Sequence, residues 1–301
     1  MTALLLGALG LTLSLIAPGI LARAKWPDRA PVAGVLLWQA LTLTAVLCAL
    51  GVVLAAPEEV TRAAGARHPE TVVALVLSLA IAATIVIRLL ISLAKVTSRA
   101  RARRARHRTL VDLLDRVERR DDIKGGEVRI LDGALPMAYC VPGRQPRVVL
   151  SDAVLQVLDR DQVDAVLAHE RAHLRHRHEL VMESFTAFYQ AVPKLLRSRV
   201  PLDAVHLLLE MVADDAARRR TGPAPLRAAL GRLADALPLA EGVLADGAAG
   251  EARRRRLARL DLPESRSLTV AASAAAAGLL VLPTVILVVP WLGRAINTWP
   301  F

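Results

Sequence analysis

Four long runs of this sequence contain no Asp, Glu, Lys or Arg, namely residues 1–22, 30–57, 71–87 and 267–293. A helix of about 20 apolar residues spans the hydrocarbon core of a bilayer. Three of these runs have that length, and the run 71–87 reaches it when it continues a few residues beyond Arg88. The sequence therefore predicts an integral membrane protein, and it excludes a disordered chain and a small disulfide-stabilised domain.

The charged residues of the chain are concentrated in one long segment between the third and fourth apolar runs. We predict a mainly α-helical membrane protein in which this segment folds as an α+β domain between the third and fourth transmembrane helices. The predicted transmembrane helices cover about residues 3–22, 32–56, 71–93 and 268–292. The predicted divisions of the chain are 1–95 with three transmembrane helices, 96–267 with the polar domain, and 268–301 with the fourth helix and a short tail.

Basic residues mark the ends of the apolar runs that we place in the cytoplasm. Cytoplasmic flanks of transmembrane helices carry an excess of Lys and Arg. The cluster Arg99–Arg108 follows the third run, and the run Arg253–Arg256 precedes the fourth. An orientation with the N-terminus outside the cell and the polar domain in the cytoplasm agrees with the Lys and Arg content of every segment that flanks an apolar run. Arg outnumbers Lys and Ala is abundant, as in high-GC bacterial genomes, so we predict a multi-pass protein of a bacterial plasma membrane.

The net charge of +11 raises the question of an anionic partner. Basic patches that bind nucleic acid neutralise phosphates and often carry aromatic side chains for stacking. Here the basic clusters adjoin predicted transmembrane helices and lack interleaved aromatic residues, and anionic lipid attracts basic segments at this position. We therefore expect the lipid bilayer as a partner and no direct contact with nucleic acid.

The sequence VLAHERAHLRHRH contains the pattern HExxH, formed by His169, Glu170 and His173. Histidines at i and i+4 lie on one face of a helix, where both imidazoles can bind one zinc ion, and the intervening Glu can act as a general base toward water. Asp159 has the position of an N-cap residue in a capping box, and it predicts a long helix that ends before Pro193. The alternative is a pair of surface histidines on a polar helix.

A zinc site needs a third protein ligand. Glu210 and Asp214 occur at i and i+4 in the sequence EMVAD, on one face of the next predicted helix, about residues 203–220. Glu210 is the predicted third ligand, and Asp214 is predicted to orient a ligand histidine. The alternative is that Glu210 is an ordinary surface carboxylate. Glu179 is a poor candidate, because no glycine turns the chain back after His173.

Several polar residues near the motif have other predicted positions. We expect His176 and His178 on the polar face of the helix rather than as ligands, with His178 directed away from the ligand face. Of the adjacent Asp214 and Asp215, at least one is expected to be solvated, and the spacing favours Asp214 as the inward residue. His206, one turn before the predicted third ligand, is a candidate for stabilising an oxyanion.

Alternating and β-branched residues predict a small sheet ahead of the HExxH helix. The segments EVRILDG and PRVVLSD are typical of strands or of a hairpin, and they lie on either side of ALPMAYCVPGRQ. Residues 109–120 predict a short amphipathic helix, and residues 238–252 predict a loop. We expect Cys140 to be a small strand residue rather than a reactive thiol, because no base is evident for it in the sequence.

The segment from MAYCVPGRQPRVVLSD to AHERAHLRHRHEL, followed by EMVAD, resembles the gluzincin membrane metallopeptidases. Members of this group have an exposed edge strand, an HExxH helix and a helix with a Glu ligand. The heat-shock and CAAX-processing type usually has two transmembrane helices on each side of this domain. Three before it and one after it resemble the BlaR/MecR type, which transduces beta-lactam signals. Since the sequence ends at Phe301, we expect the extracellular penicillin-binding sensor of that type to be lacking.

The resemblance implies a zincin-like metallopeptidase fold for the polar domain and one Zn²⁺ per chain. It implies that His169, His173 and Glu210 bind the zinc. It also implies that Glu170 is the general base and that Asp214 steadies a ligand histidine. The implied edge strand, which would hold the substrate by strand addition, contains Pro136, Met137, Ala138, Tyr139 and Cys140.

The resemblance further implies an activity. We expect a zinc metalloendopeptidase that cleaves a protein or peptide substrate on the cytoplasmic side, as a signal transducer acting on itself or on a transcriptional repressor. One alternative is a quality-control membrane protease of the heat-shock or CAAX type. Another is a catalytically silent membrane receptor or scaffold that keeps the zinc fold.

Overall fold

The computed structural model describes residues 2–64, 69–114, 128–194, 197–236 and 248–298. Within these ranges the chain is mostly helical and contains one small sheet. A π-helical turn at Thr12–Ile16 joins the first two helices, and a short 3-10 helix covers Trp26–Arg29. The helices are α1 (Thr2–Leu11), α2 (Ala17–Arg23), α3 (Pro31–Ala64), α4 (Pro69–Leu114), α5 (Asp152–Val157), α6 (Arg160–Arg175), α7 (His178–Ala191), α8 (Val200–Thr221), α9 (Pro223–Asp235), α10 (Ala248–Arg259) and α11 (Arg266–Thr298). The strands are β1 (Val128–Leu131), β2 (Ala138–Val141) and β3 (Arg147–Ser151).

The chain divides into two compact units. The first contains Met1–Leu93, Ala187–Val205 and Ser265–Phe301, and the second contains Ala94–Thr186 and His206–Glu264. The HExxH motif and the EMVAD sequence both belong to the second unit.

The first unit holds the apolar helices. Among the described residues, four helical segments are long and apolar enough to cross a membrane: Thr2–Arg23, Pro31–Ala55, Val72–Leu113 and Arg266–Ile286. Each overlaps one of the four uncharged runs of the sequence, and Val72–Leu113 continues beyond Leu93 into the second unit. Many of their leucine, isoleucine and valine side chains are exposed, which is the surface that a helix presents to lipid.

Small and hydroxyl residues bring these helices into contact. Thr44 is fully buried on α3, and its Oγ1 donates a hydrogen bond to the carbonyl of Leu279 on α11 at 2.9 Å. Gly51 allows α3 to approach α1, since a Cβ at this position would lie 2.7 Å from a methyl carbon of Leu6. Close approach at glycine and interhelical bonds from threonine are typical of packing between transmembrane helices.

The second unit contains a three-stranded sheet in the order β1-β3-β2. Strand β1 pairs with β3 in parallel, and β2 pairs with β3 antiparallel, with Cys140 opposite Val148. The two predicted strand segments are confirmed as β1 and β3. Strand β2 is an edge strand, because β3 is its pairing partner within the described part of the chain.

The sheet is covered on both faces. On one face, Val148 and Leu150 pack against Val166 and Leu167 of α6. On the other face, Val141 and Val149 pack against Val111 of α4. Successive strand residues point to opposite faces. The HExxH helix and the last turns of α4 therefore lie on opposite sides of the edge strand.

Two predictions of local structure are wrong in part. Residues 109–114 continue α4 and do not form a separate helix, whereas 115–120 lie outside the described residues. Residues 248–252 belong to α10 rather than to a loop, since alanines favour helix and Glu251 pairs with Arg254 at 3.0 Å one turn on. The remainder of that predicted loop, up to residue 247, is not described.

The predicted single helix from Asp159 to Pro193 is also wrong. The N-terminus agrees with the prediction, because Asp159 Oδ1 accepts a hydrogen bond from the backbone N–H of Gln162 at 3.2 Å. However, α6 ends at Arg175 and α7 begins at His178. Between them Arg177 has a φ of 50°, a left-handed conformation that ends helical periodicity.

Candidate metal centre

Three donor side chains meet where α6 and α8 face each other. His169 and His173 are one turn apart on α6, and their Nε2 atoms lie 3.1 Å from each other. Glu210 on α8 places one carboxylate oxygen 3.4 Å from His169 Nε2 and the other 3.4 Å from His173 Nε2. The predicted helix over 203–220 is α8, and its ends differ from the prediction by a few residues at most.

The spacing of these donor atoms fits a zinc ion. Zinc binds nitrogen and oxygen ligands tetrahedrally at about 2.0–2.1 Å, which holds neighbouring ligand atoms about 3.3 Å apart. The 3.1 Å between the two imidazole nitrogens is close to that value, and each carboxylate oxygen of Glu210 lies 3.4 Å from one of these nitrogens. One ligand atom from each of the three side chains lies within 4.8 Å of the other two. Two imidazoles and one carboxylate are also a donor set that zinc favours, with a fourth position left for water or substrate. His169, His173 and Glu210 are therefore the residues that could hold the metal.

Asp214 lies behind His169. Its Oδ1 is 3.0 Å from His169 Nδ1, the ring nitrogen opposite the donor cluster, and its side chain is fully buried. Burial lowers the pKa of His169, but Asp214 and Glu210 outweigh burial and raise this pKa to about 9. The two carboxylates that attract a proton to this ring also attract a divalent cation. The structure thus places Asp214 where a carboxylate can orient a ligand histidine.

Arg256 on α10 contacts both carboxylates, and no motif in the sequence predicts this role. Its Nε and Nη2 donate to the two oxygens of Asp214 at 2.8 and 2.7 Å, and its Nη1 lies 2.9 Å from Glu210. Burial raises the pKa of Glu210, but the bond from His169 and the charge of Arg256 outweigh it and lower this pKa to about 2. Glu210 is therefore held as a carboxylate.

The neighbouring Asp215 is also buried. Asp214 is 0% exposed and Asp215 is 4% exposed, so the prediction that at least one of them is solvated is wrong. Arg259 explains the burial, because its Nη2 donates to Asp215 at 2.7 Å and its Nη1 donates to the backbone carbonyl of Met211 at 3.0 Å. Two adjacent aspartates on α8 thus pair with two arginines spaced three residues apart on α10. No spacing in the sequence reveals this pairing, because both arginines lie among several basic residues ahead of an apolar run.

Replacing Arg256 with Met should destabilise the metal-free protein by about 3–5 kcal/mol, because Asp214 would be left as a buried carboxylate without its bidentate partner. The measurement is the free energy of unfolding of the full chain in detergent, by denaturant titration. Arg254→Met is the matched control on the same helix, since Arg254 is exposed and its pair with Glu251 should contribute less than about 1 kcal/mol. Equal losses in the two variants would contradict the assignment.

His178 supports the second histidine. It is 5% exposed, and its Nδ1 lies 2.8 Å from Nδ1 of His173. The prediction that His178 points away from the site is wrong, because the left-handed Arg177 redirects the chain after α6. Burial and the nearby His173 lower the pKa of His178 to about 3, so its ring is neutral. A neutral His178 can accept a hydrogen bond from Nδ1–H of His173 and leave Nε2 of His173 free for a metal.

Replacing His178 with Ala should lower zinc affinity by about 10- to 100-fold, as is usual when a histidine ligand loses its orienting partner. Competition with a chromogenic chelator measures this affinity. His178→Asp should retain most of it, because a carboxylate can accept the same bond. His176→Ala is the control, since His176 is exposed as predicted and should leave the affinity unchanged. A loss in both alanine variants would overturn the role of His178.

Glu170 joins the donor cluster to the edge strand. It is the residue after His169, and burial raises the pKa of its carboxyl. Its side chain hydrogen-bonds with the thiol of Cys140 on β2, and burial and Glu170 together raise the pKa of Cys140 to about 12. The thiol is therefore protonated, which agrees with a non-reactive strand residue. This contact places β2 directly beside Glu170, the predicted general base.

The remaining predicted residues lie around this cluster. Ala138, Tyr139 and Cys140 belong to β2, and Pro136 and Met137 precede it. The N–H of Met137 donates to Oγ of Ser151 at 2.9 Å, and its carbonyl accepts from the N–H of Ser151 at 2.9 Å. These two bonds tie the entrance of β2 to the end of β3.

Two further side chains stand apart from the donor atoms. His206 lies one turn before Glu210 on α8 and is exposed, so its suggested role toward an oxyanion stays a prediction. Glu179 lies in the first turn of α7 and does not belong to the donor group formed by His169, His173 and Glu210.

Comparisons with known proteins agree with this chemistry. The sequence model of Peptidase family M48 matches residues 100–213. The protease HtpX homolog of Salinibacter ruber is 35% identical over 97 residues, which are 31% of this chain and 35% of that protein. The HtpX homologs of Thermoplasma acidophilum and Chlorobium phaeobacteroides are 34% and 42% identical over 70 and 67 residues. These segments are 23% and 22% of this chain, and 22% and 23% of the two relatives.

The matches concern one part of the molecule. The chain covers about a third, or less, of the length of these curated relatives, with 35% for the first of them. No solved structure matches the chain significantly. The matched residues 100–213 include the HExxH helix, the edge strand and Glu210. The segment that supplies the three donor side chains thus matches the sequence model of Peptidase family M48, and part of the chain is similar to HtpX homologs.

Proposed function

We propose that this chain is a membrane-embedded zinc metalloendopeptidase that hydrolyses peptide bonds of a protein substrate. The observation that carries the proposal is the spacing of 3.1–3.4 Å among donor atoms of His169, His173 and Glu210, with Glu170 next in sequence to one of them. Zinc held there would polarise the scissile carbonyl and lower the pKa of water. The family M48 match over the same residues supports the proposal.

In this mechanism Glu170 handles the proton. Its carboxylate accepts a proton from the attacking water while the water oxygen bonds to the carbonyl carbon. It then gives that proton to the amide nitrogen as the carbon–nitrogen bond breaks. The products are a carboxylic acid and an amine, and Glu170 returns to its starting state. Asp214 and Arg256 keep His169 and Glu210 in place during these steps.

The edge strand supplies the substrate contact. One side of β2 pairs with β3, and its other side is a free edge within the described part of the chain. An extended peptide can add to such an edge through backbone hydrogen bonds. Cys140 of this strand touches Glu170, so a peptide at the edge would pass close to the general base. This arrangement suits an endopeptidase that accepts unfolded or extended segments.

The orientation in the membrane is part of the proposal. We place the peptidase unit in the cytoplasm of a bacterial cell, because Arg99–Arg108 and Arg253–Arg256 flank the helices that adjoin it. A reporter fused at residue 230 should give a cytoplasmic signal. A periplasmic signal would reverse the orientation and leave the chemistry unchanged.

Two physiological roles fit a membrane endopeptidase of this kind. Three apolar helices before the peptidase segment and one after it favour a signal transducer that cleaves itself or a transcriptional repressor. The similarity to HtpX homologs favours a quality-control protease of membrane proteins. Of the two roles, quality control has the support of the relatives, whereas the role as a signal transducer is supported by the helix arrangement alone.

Comparative proteomics of cells with the wild-type chain and cells with Glu170→Gln separates these roles. A transducer should yield one discrete product that disappears in the variant. A quality-control protease should allow many membrane proteins to accumulate in the variant. Identical proteomes, together with zinc in both purified proteins, would instead indicate a scaffold and contradict the proposed activity.

A further inference from the structure

An open groove of about 540 Å³ lies beside the C-terminal end of strand β2 in the second unit. One wall comes from β2, with Cys140 and Val141, and the other comes from the last turns of α4. The α4 side chains in this wall are Arg103, Arg106, His107 and Leu110, together with Arg104 beside them. Among the residues that the structure describes, no Asp or Glu lines this groove.

The α4 wall is one face of a helix. Positions 103, 106, 107 and 110 follow the spacing i, i+3, i+4 and i+7, which places them in one stripe along the helix. The side chains of Arg103 and Arg106 are exposed. The helix geometry therefore directs these four side chains toward the groove. Their orientation does not depend on the rotamer of any one of them.

The arginines of the α4 wall differ in their ion-pair partners. Arg104 pairs with Glu183, whose side chain is 9% exposed, so its charge is neutralised within the unit. Arg103 and Arg106 have no ion-pair partner among the residues that the structure describes. Within the described part of the chain, two arginines thus face the groove without an acidic residue beside them.

The pleat of β2 fixes which side of a bound peptide meets these arginines. Cys140 points toward α6, where it contacts Glu170. Tyr139 and Val141 point toward α4, and the hydroxyl of Tyr139 lies 3.0 Å from Nε2 of His107. A peptide that adds to the edge continues this pleat, so every second side chain would lie on the α4 side of the strand. The alternate side chains would lie on the side of Glu170.

We propose that this groove selects extended peptide segments with acidic side chains at alternate positions, which Arg103 and Arg106 bind while the scissile bond lies at Glu170. This inference rests on the proposed function and names its substrate class. An anionic lipid headgroup would also bind arginine, but it would not use the free edge of β2, whose residues Cys140 and Val141 line the opposite wall. The strand edge together with these two arginines favours a peptide.

The test measures binding, so that it does not depend on hydrolysis. The probe is a pair of fluorescein-labelled, otherwise identical decapeptides of Ala and Val, with Glu at every second position in one and Lys in the other. The protein is the full-length Glu170→Gln variant in detergent, and the readout is fluorescence anisotropy. We expect the Glu peptide to bind at least about tenfold more tightly, since two contacts change from attraction to repulsion. The preference should shrink in about 1 M salt.

A matched pair of double variants identifies the arginines. In the Glu170→Gln background, Arg103→Gln with Arg106→Gln should abolish the preference for the Glu peptide. Arg99→Gln with Arg101→Gln removes the same charge from the same helix but outside the groove lining, so it should keep the preference. Equal losses in both double variants would show a diffuse basic surface of the kind that binds lipid, and would overturn the proposal.

Different results would contradict the acidic specificity of the groove and the peptidase reaction. Equal affinity of the two peptides for the unmodified groove would overturn the acidic specificity and leave the peptidase reaction standing. A wild-type chain that cleaves no protein would overturn the peptidase reaction, while the binding preference would still be measured. Tighter binding of the Lys peptide would contradict the assignment of Arg103 and Arg106 outright.

Discussion

Replacing Glu170 with Gln should reduce peptide-bond hydrolysis by about 100- to 10,000-fold and leave the zinc content unchanged. The amide keeps the size of the side chain but cannot accept the proton of the attacking water. The three donor side chains and their partners are untouched by this change. Cleavage of unfolded casein by the purified full chain, with metal analysis of the same sample, measures both quantities.

The control for this prediction is Glu179→Gln. Glu179 is a half-buried carboxylate in the first turn of α7, outside the group of donor atoms. Its loss should leave cleavage within about twofold of the wild type, as for substitutions away from reacting groups. If Glu170→Gln cleaved casein at the wild-type rate, Glu170 would not be the general base, and the proposed reaction would need another proton acceptor.

Replacing Glu210 with Ala should remove most of the bound zinc, and activity should fall with it. Two imidazoles alone leave the metal without its third protein ligand. Glu210 also neutralises part of the charge of Arg256, whose Nη1 lies 2.9 Å away, so the alanine variant would leave that guanidinium facing the metal. Zinc per chain after gel filtration is the direct measurement.

A second substitution separates metal binding from folding. Glu210→Gln keeps the shape of the side chain but removes its charge, so it should also lose most of the zinc while the protein stays folded. Glu179→Ala should keep its zinc. Zinc retained by both Glu210 variants and lost from Glu179→Ala would overturn the assignment of the third ligand.

Features that depend on helical or strand periodicity could be predicted from the sequence. The uncharged runs predict the apolar helices because length and composition decide whether a helix can cross a bilayer. The i, i+4 spacing of His169 and His173 places both rings on one face of α6, and the same spacing places Glu210 and Asp214 on one face of α8. The alternating residues of β1 and β3 predict strands for the same kind of reason.

Features that depend on a break in periodicity could not be predicted. His178 is five residues after His173, which on a continuous helix would direct it elsewhere. The left-handed conformation of Arg177 ends α6 and turns His178 back to His173. The sequence has no glycine or proline at this turn that would predict it. A single backbone angle at a non-glycine residue thus decides which histidine supports the site.

Arg256 escaped prediction for another reason. It belongs to a run of four arginines next to an apolar helix, where membrane-flanking charge is sufficient explanation for all of them. Only the fold separates Arg256, which holds Asp214 and Glu210, from Arg254, which pairs with Glu251 on the surface. Identical residues in one short run therefore have unrelated roles, and three-dimensional contacts alone distinguish them.

The central claim is that His169, His173 and Glu210 hold a zinc ion on which hydrolysis depends. The most direct measurement is the zinc content and casein cleavage of the purified full chain before chelation, after chelation and after zinc is restored. The account predicts one zinc per chain, loss of cleavage with loss of the metal, and recovery of both together. A zinc-free chain that cleaves casein at the original rate would contradict it.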